Sequence, residues 1–418
     1  MLEIPKCSKH HHPPLRGAQT GSHHLGAESA FAKEPTYALL YGKPKIALDA
    51  NRMYCMQSWH YPSTSKRDLR IDWLRGFALF VMVIDHVGGE ASLFYSLTGR
   101  AQFYISAAEG FYFISGLTLG ILAARQGLHR SLEHILMRTW VLYRTTVLIC
   151  LGSVLASYVG LEVWYDDWDK SQNLLEFAVG AITLYNDYNG SGILALYVFF
   201  MLLTPLALFF MFRGYTWAVL LASVATYIIS QTYPETVEVP ISTLFFEAPW
   251  QLLFFGGLII GFHREDLARL WSQNRMLRDG ISLAVMLAAV LFIVVKVRGL
   301  WPQLDHWVVG SEPQQKLVWP RLLLVALYLQ AFYLLITWFW KPLYRLTGWL
   351  LIPLGSASLW TFTWHLLIML PLYNLLDYPA LSSNIWLGTG FHFLILLVIL
   401  GSILLYRRWR SRAAAFGL

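Results

Sequence analysis

Charge is scarce in this sequence. Asp, Glu, Lys and Arg make up 14% of 418 residues, while apolar residues make up 56%, against about 25% charged in an average soluble protein. A soluble fold of this length could not cover so much apolar surface with so few charges. An integral membrane protein can, because lipid is its solvent. The same balance excludes disorder, collagen and coiled coil for most of the length. Cysteine is also scarce. Cys7, Cys55 and Cys150 are the only three and form no motif, so neither a disulfide framework nor a cysteine metal site is implied. The first 66 residues lack an apolar h-region and do not read as a signal peptide. A convincing internal repeat is missing too, which weighs against an inverted-repeat transporter.

Basic residues are in excess, 32 Lys and Arg against 25 Asp and Glu. Nucleic acid is not the implied partner. Much of the excess sits in short loops between apolar runs and in the ending RRWRSR, as the positive-inside rule expects. Residues 1–66 carry HHHPP, GSHH and scattered Pro, Gly and Ser without periodicity. They read as a disordered cytoplasmic tail whose histidines lack metal-ligand spacing, and Met53 or Met56 offers an alternative start.

Apolar runs begin at Trp73. Candidate spans are 71–89, 104–124, 135–158, 192–212, 215–231, 241–262, 279–298, 321–340, 350–375 and 386–406, each near the roughly 20 residues a crossing requires. Arg67, Arg70 and Arg75, then Arg125, Arg130 and Arg138, then Arg264 to Arg278, then Lys341, Arg345 and Arg407 to Arg412 all belong on the cytoplasmic side. These demands agree only if the run 174–189, which ends in NDYNG, does not cross. The expected fold class is therefore all-α: a polytopic integral membrane helix bundle of about ten transmembrane helices with both termini cytoplasmic. The bundle occupies 67–406, and 407–418 forms a basic tail.

An ionisable side chain inside a bilayer costs at least about 2.5–3.5 kcal/mol and needs a reason. The first span, RIDWLRGFALFVMVIDHVGG, holds Arg75 and His86 eleven residues apart. At 100° per residue both lie on one face, roughly 16 Å apart along the axis. An imidazole is the usual general base for a hydroxyl, and Asp85 next to it is placed to orient it or to pair with an arginine. Glu109 in the second span falls near the expected depth of His86 and is a candidate to support the imidazolium. Arg138 and Arg144 in the third span suit phosphate or carboxylate recognition. Trp250 and Gln251, at the outer start of a later span, and His365, in the apolar stretch LGSASLWTFTWHLLIML, are candidate acceptor contacts. Each has a structural alternative: a satisfied histidine, an interfacial carboxylate, an internal salt bridge, an aromatic belt.

The segments RDLRIDWLRGFALFVMVIDHV and AAEGFYFISGLTLG resemble the OpgC family of membrane acyltransferases, a branch of the broader superfamily that acylates extracytoplasmic sugars. Arg75, Gly76 and His86 match the Arg-Gly start and later His of the superfamily's first helix. Tyr112, Phe113, Ser115 and Gly116 echo its Phe-Phe-x-x-Ser-Gly stretch. The triplet Ile84, Asp85, His86, the Glu109 position, APWQLLFFGGLIIG and LGSASLWTF are similar to OpgC features over residues 67–406. The resemblance implies ten helices in the bacterial inner membrane. It also implies transfer of a succinyl or acetyl group from a cytoplasmic acyl-CoA to hydroxyls of periplasmic glucan. In that scheme His86, Glu109 and Asp85 are catalytic, Arg75, Arg138 and Arg144 meet the donor, and no metal takes part. A proton-coupled transporter or flippase using Asp85, His86 and Glu109 as a relay is the alternative.

Overall fold

A computed structural model describes residues 61, 67–88, 91–99, 103–161, 173–233, 247–309, 316–375 and 383–415. The expected N-terminal tail, apart from Tyr61, and the final residues 416–418 lie outside them. The described helices are α1 (Leu69–Val87), α2 (Leu93–Leu97), α3 (Ala107–Gln126), α4 (Leu128–Tyr158), α5 (Leu174–Ile182), α6 (Ser191–Phe212), α7 (Thr216–Thr232), α8 (Glu247–Phe262), α9 (Arg264–Gln273), α10 (Arg275–Arg298), α11 (Pro302–Val309), α12 (Trp319–Trp338), α13 (Trp340–Ser356), α14 (Ser358–Leu375) and α15 (Ile385–Ala415). No described residue lies in a strand.

The surface is inverted relative to a soluble protein. Leu148, Leu155, Leu202 and Leu287 are exposed, while Asp72, Arg75, Glu109, Arg321, His365 and His392 are buried. Apolar side chains outside and charges inside are what a hydrocarbon solvent favours.

Among the described residues, six helices are long and apolar enough to cross a membrane: α3, α4, α6, α10, α12 and the Ile385–Trp409 part of α15. Counting α13 and α14 together makes seven. Ten were expected, and the differences have physical causes. The anticipated run 350–375 is broken at Ala357, where α13 and α14 meet at 92°. Pro353 lies four residues before the break and has no backbone N–H to extend the ladder. α7 has 17 residues and α8 has 16, about 24–26 Å at 1.5 Å per residue, short of a hydrocarbon core of about 30 Å. α1 does not qualify by composition because Arg70, Asp72, Arg75 and Asp85 interrupt it. The run 174–189 forms only the nine-residue α5, about 14 Å long and unable to cross alone. The basic residues after 406 continue α15 as helix to Ala415.

Two glycine seams hold the centre. Lipid supplies no hydrophobic drive between helices, so small residues that admit close backbones do the packing. On α3 the segment GLTLG presents Gly116 and Gly120 to the carbonyls of Phe254 and Leu258. On α8 the segment GLIIG presents Gly257 and Gly261 to the carbonyls of Phe113 and Leu117. The pairing 116 with 254 and 120 with 258 makes these helices parallel. On α1, Gly76 faces the Leu351 carbonyl of α13, and Gly355 faces the Asp72 carbonyl in return. α1 also packs on α3, α12, α14 and α15, so the helix that carries Arg70, Asp72, Arg75 and Asp85 is enclosed on several sides.

Its first turn is tied down by Asp68. This N-cap accepts from the Arg70 backbone at 3.1 Å and from Arg70 Nε and Nη2 at 2.9 and 2.8 Å, and Arg264 donates to it as well. Burial alone would push the Asp68 carboxyl up. The hydrogen bonds and charges of Arg70 and Arg264 outweigh burial and hold it below its usual range. Arg70 is itself clamped between the rings of Tyr61 and Tyr333, 4.3 and 4.5 Å from their centroids.

Candidate active site

His86 lies one residue before the last of α1, half-buried. Its Nδ1 is 3.0 Å from Nε2 of His365 on α14. His365 is buried, and its Nδ1 lies 2.8 Å from the Phe362 carbonyl. A carbonyl only accepts, so His365 carries its proton on Nδ1. Its Nε2 is then an acceptor, His86 donates to it through Nδ1–H, and the lone pair of a neutral His86 is on Nε2. Two rings 279 residues apart in sequence thus fix the tautomer that a general base requires.

Beside His86 is a cavity of about 20 Å³ lined by Asn189, Gly190, Ile193, Phe362, Leu366 and Met369, room for about one water. Its polar edge comes from the NDYNG segment. Asn189 and Gly190 both have positive φ, 54° and 67°, the left-handed conformation that Asn and Gly adopt most readily. The Asn189 amide donates to Ser153 Oγ at 2.9 Å, which fixes this turn against α4. The remaining wall is apolar.

The carboxylates expected around His86 are elsewhere. Glu109 is fully buried, but Arg321 Nε donates to its Oε1 at 2.6 Å, and Ser106 N and Oγ each lie 2.5 Å from its Oε2. Arg321 Nη1 also donates to the Val308 carbonyl at 3.0 Å. Glu109 therefore closes a capping box and a buried ion pair, and His365 takes the place beside His86 that Glu109 was expected to fill. Asp85 is exposed, with Thr98 as its hydrogen-bond partner. It lies about 100° round the helix from His86, too far round to orient the ring.

The arginines divide likewise. Arg75 is 6% exposed; its Nη2 donates to Thr118 Oγ1 at 2.5 Å and more distantly to the Ile114 carbonyl at 3.4 Å. Arg138 is half-buried, with its guanidinium 5.8 Å from the centre of the Tyr197 ring, and it acts electrostatically on Arg75. Arg144 does not join them. Six residues beyond Arg138 means about 240° of rotation, and Arg144 is exposed between Trp140 and Leu148, one turn away on either side and exposed too. Trp250 and Gln251 are structural core. Trp250 is fully buried against Tyr112. Gln251 accepts from Ser223 Oγ at 2.6 Å and donates to the Ser223 carbonyl at 2.8 Å, clasping α7 to α8.

Three residues that matter here were not singled out from the sequence. Arg321 and His392 stand in apolar runs and carry the same signal that flagged His86. His392 is buried, with Nε2 2.7 Å from the Gly88 carbonyl and Nδ1 2.9 Å from Ser92 Oγ, and so fastens the end of α1 to α15. Tyr197, one of 22 tyrosines, carries no such signal. Among the described residues no three His, Cys, Asp or Glu converge as a metal site; His10 to His12, His23 and His24 lie outside them.

Comparison with curated proteins and with solved structures found no match. A family model described as OpgC protein matches residues 67–412, and on that match, which runs from α1 into the last turn of α15, the chain belongs to the OpgC protein family.

Proposed function

We propose that this protein is a membrane O-acyltransferase of periplasmic glucan modification. It moves a succinyl or acetyl group from a cytoplasmic acyl-CoA to a hydroxyl of an extracytoplasmic glucan across the bacterial inner membrane. In this reading the chain crosses about ten times with both termini cytoplasmic; α1, too charged to qualify alone, is enclosed by other helices, and the short α7 packs on the short α8. The Asp68 end of α1 faces the donor and the His86 end faces the glucan.

The observation that carries the reading is the chain from His86 through His365 to the Phe362 carbonyl. His86 Nε2 removes the proton of a sugar hydroxyl as that oxygen attacks the thioester carbonyl. The tetrahedral adduct collapses, the carbon–sulfur bond breaks, and the imidazolium returns its proton to the departing thiolate, leaving an ester and a free thiol. While charged, His86 donates through Nδ1 to His365, whose ring is polarised by the carbonyl behind it. Aligned dipoles here serve where a carboxylate was expected. Such a base supplies about 10²–10⁴-fold, and positioning supplies much of the rest.

The test is mass spectrometry of envelope glucans from cells with the gene, without it, and with His86→Ala. Loss of an acyl mass in both altered strains, with the variant inserted at normal levels, is the expected result. Full acylation by His86→Ala would remove the mechanism. Proton-coupled uptake that persists without any thioester would point to transport instead.

A further inference from the structure

A cavity of about 440 Å³ opens at the Asp68 end of the bundle, between the start of α1, the last turn of α3 and α9. Its charged lining is Arg70, Arg125, Arg264 and Arg269 against Asp68, Glu265 and Asp266, which leaves one positive charge. Asp68 holds Arg70 and Arg264. Asp266 lies 3.2 Å from Arg269, but both side chains are exposed, and an exposed pair of this kind contributes little. Arg269 can therefore turn to another anion. Arg125 is exposed as well, so the two stand at the mouth of the chamber.

What surrounds the mouth says which anion. On α9, Leu267, Leu270 and Trp271 are exposed and fall within about 100° of one another, a single apolar stripe. Glu265, Ala268 and Arg269, which line the cavity, lie on the other side of the helix. α9 joins α8 to the membrane-crossing α10. A short amphipathic helix so placed lies in the interface, its apolar face among acyl chains. The inner end of the cavity is closed. Ile121 and Gly261 line it where the α3–α8 seam is tightest, with Gly120 against the Leu258 carbonyl and Gly261 against the Leu117 carbonyl. A ligand entering here does not pass between α3 and α8 towards His86. A blind basic chamber at headgroup depth, beside an apolar face, fits a resident lipid better than a donor in transit. We propose that it binds one anionic phospholipid. Arg125 and Arg269 hold the phosphodiester, and the acyl chains lie along Leu267, Leu270 and Trp271. The bound lipid ties α9 to α1 and α3. The site depends on the cytoplasmic orientation proposed above and on none of the acyl-transfer chemistry.

Native mass spectrometry of the full chain released from detergent counts bound lipid directly. The protein is titrated with phosphatidylglycerol, phosphatidylethanolamine and phosphatidylcholine, each alone and against CoA or glycerol 3-phosphate. The expected result is one phosphatidylglycerol held more tightly than either zwitterionic lipid and displaced by neither competitor. Arg125→Gln and Arg269→Gln each weaken it about fivefold, the equivalent of about 1 kcal/mol per basic residue at an anionic surface. Ala268→Phe fills the chamber without changing its charge and abolishes retention. All three positions are exposed, so these variants fold. Arg278→Gln, on α10 and paired with Asp279 at 2.8 Å, leaves binding unchanged. His86→Ala also keeps the lipid, so the site and the proposed reaction fail separately. Equal retention of the three lipids overturns the proposal, as does retention that survives Ala268→Phe. A loss in Arg278→Gln as large as in Arg269→Gln overturns it in favour of general attraction to an anionic surface. Displacement by CoA would make the chamber part of the donor path, and displacement by glycerol 3-phosphate would make it a free-phosphate site; either removes the lipid.

Discussion

The Glu109–Arg321 pair separates a structural carboxylate from a catalytic one. Both side chains are almost fully buried, and Arg321 Nε donates to Glu109 Oε1 at 2.6 Å. Removing one member of such a pair costs about 3–5 kcal/mol, because the survivor stays charged in a dry site, whereas replacing both with apolar groups of similar size is often close to neutral. Glu109→Gln and Arg321→Met are each expected in that range. The double variant should recover most of the loss, giving a coupling energy of about 5 kcal/mol or more, well above the roughly 0.6 kcal/mol typical of hydrogen bonds between membrane helices. The assay is reversible unfolding in mixed micelles of rising SDS content, followed by the fluorescence of 18 tryptophans. Acyl transfer is measured on the same preparations. Glu109→Gln loses activity in step with stability, and the double variant regains both. A coupling energy below about 0.5 kcal/mol would contradict the burial argument. A double variant that folds stably yet stays inactive would place Glu109 in the chemistry after all.

Three further outcomes follow from particular contacts. Gly257→Ala puts a methyl group into the Phe113 carbonyl and costs about 1–3 kcal/mol by overpacking, while Gly256→Ala next to it meets nothing within 4 Å and is tolerated; comparative thermal stability in detergent checks the pair. Arg144→Leu removes an exposed charge from an apolar helix face, improves insertion by roughly 2–3 kcal/mol in a translocon assay, and leaves acyl transfer unchanged. Asp68→Asn lowers stability at neutral pH. Because its folded-state pKa is depressed, the stabilisation is present above the ordinary carboxylate value of 3.8 and is lost as pH falls through the folded-state value. Wild type and variant therefore begin to converge in acid titration below about pH 3.8 and meet only below the folded-state value, and a gap that persists below that value would assign the loss to packing.

What the sequence made legible was what lipid dictates locally. Run length placed α3, α6, α10 and α12 within four residues at each end, and α4 at its end though seven residues late at its start, since each needs only about 20 apolar positions to declare itself. The cost of burying a charge singled out His86, Arg75 and Glu109 as residues with a purpose. Their partners were another matter. Glu109 and Arg321 are 212 residues apart, and His86 and His365 are 279 apart. Nothing local says that the carboxylate pairs with the arginine and the imidazole with a second imidazole. Arg144 differs for another reason: depth in a span does not say which way a side chain points, and six residues beyond Arg138 the helix has turned it to the exposed face. The corner at Ala357 was hidden because the apolar stretch runs unbroken through Pro353 and LGSAS, and composition alone does not show where a helix changes direction.

The reciprocal glycines have a mechanical meaning. Where two backbones touch carbonyl to α-carbon on both sides, neither helix can slide without lifting off its neighbour. α1 with α13 and α3 with α8 are therefore locked as two stiff beams, one holding His86 and Arg75, the other the Thr118 that steadies Arg75. A working stroke that opened the bundle alternately to its two sides would have to flex somewhere else. The chain offers one sharp joint between such beams and the second histidine, the right-angled corner at Ala357 that carries α14.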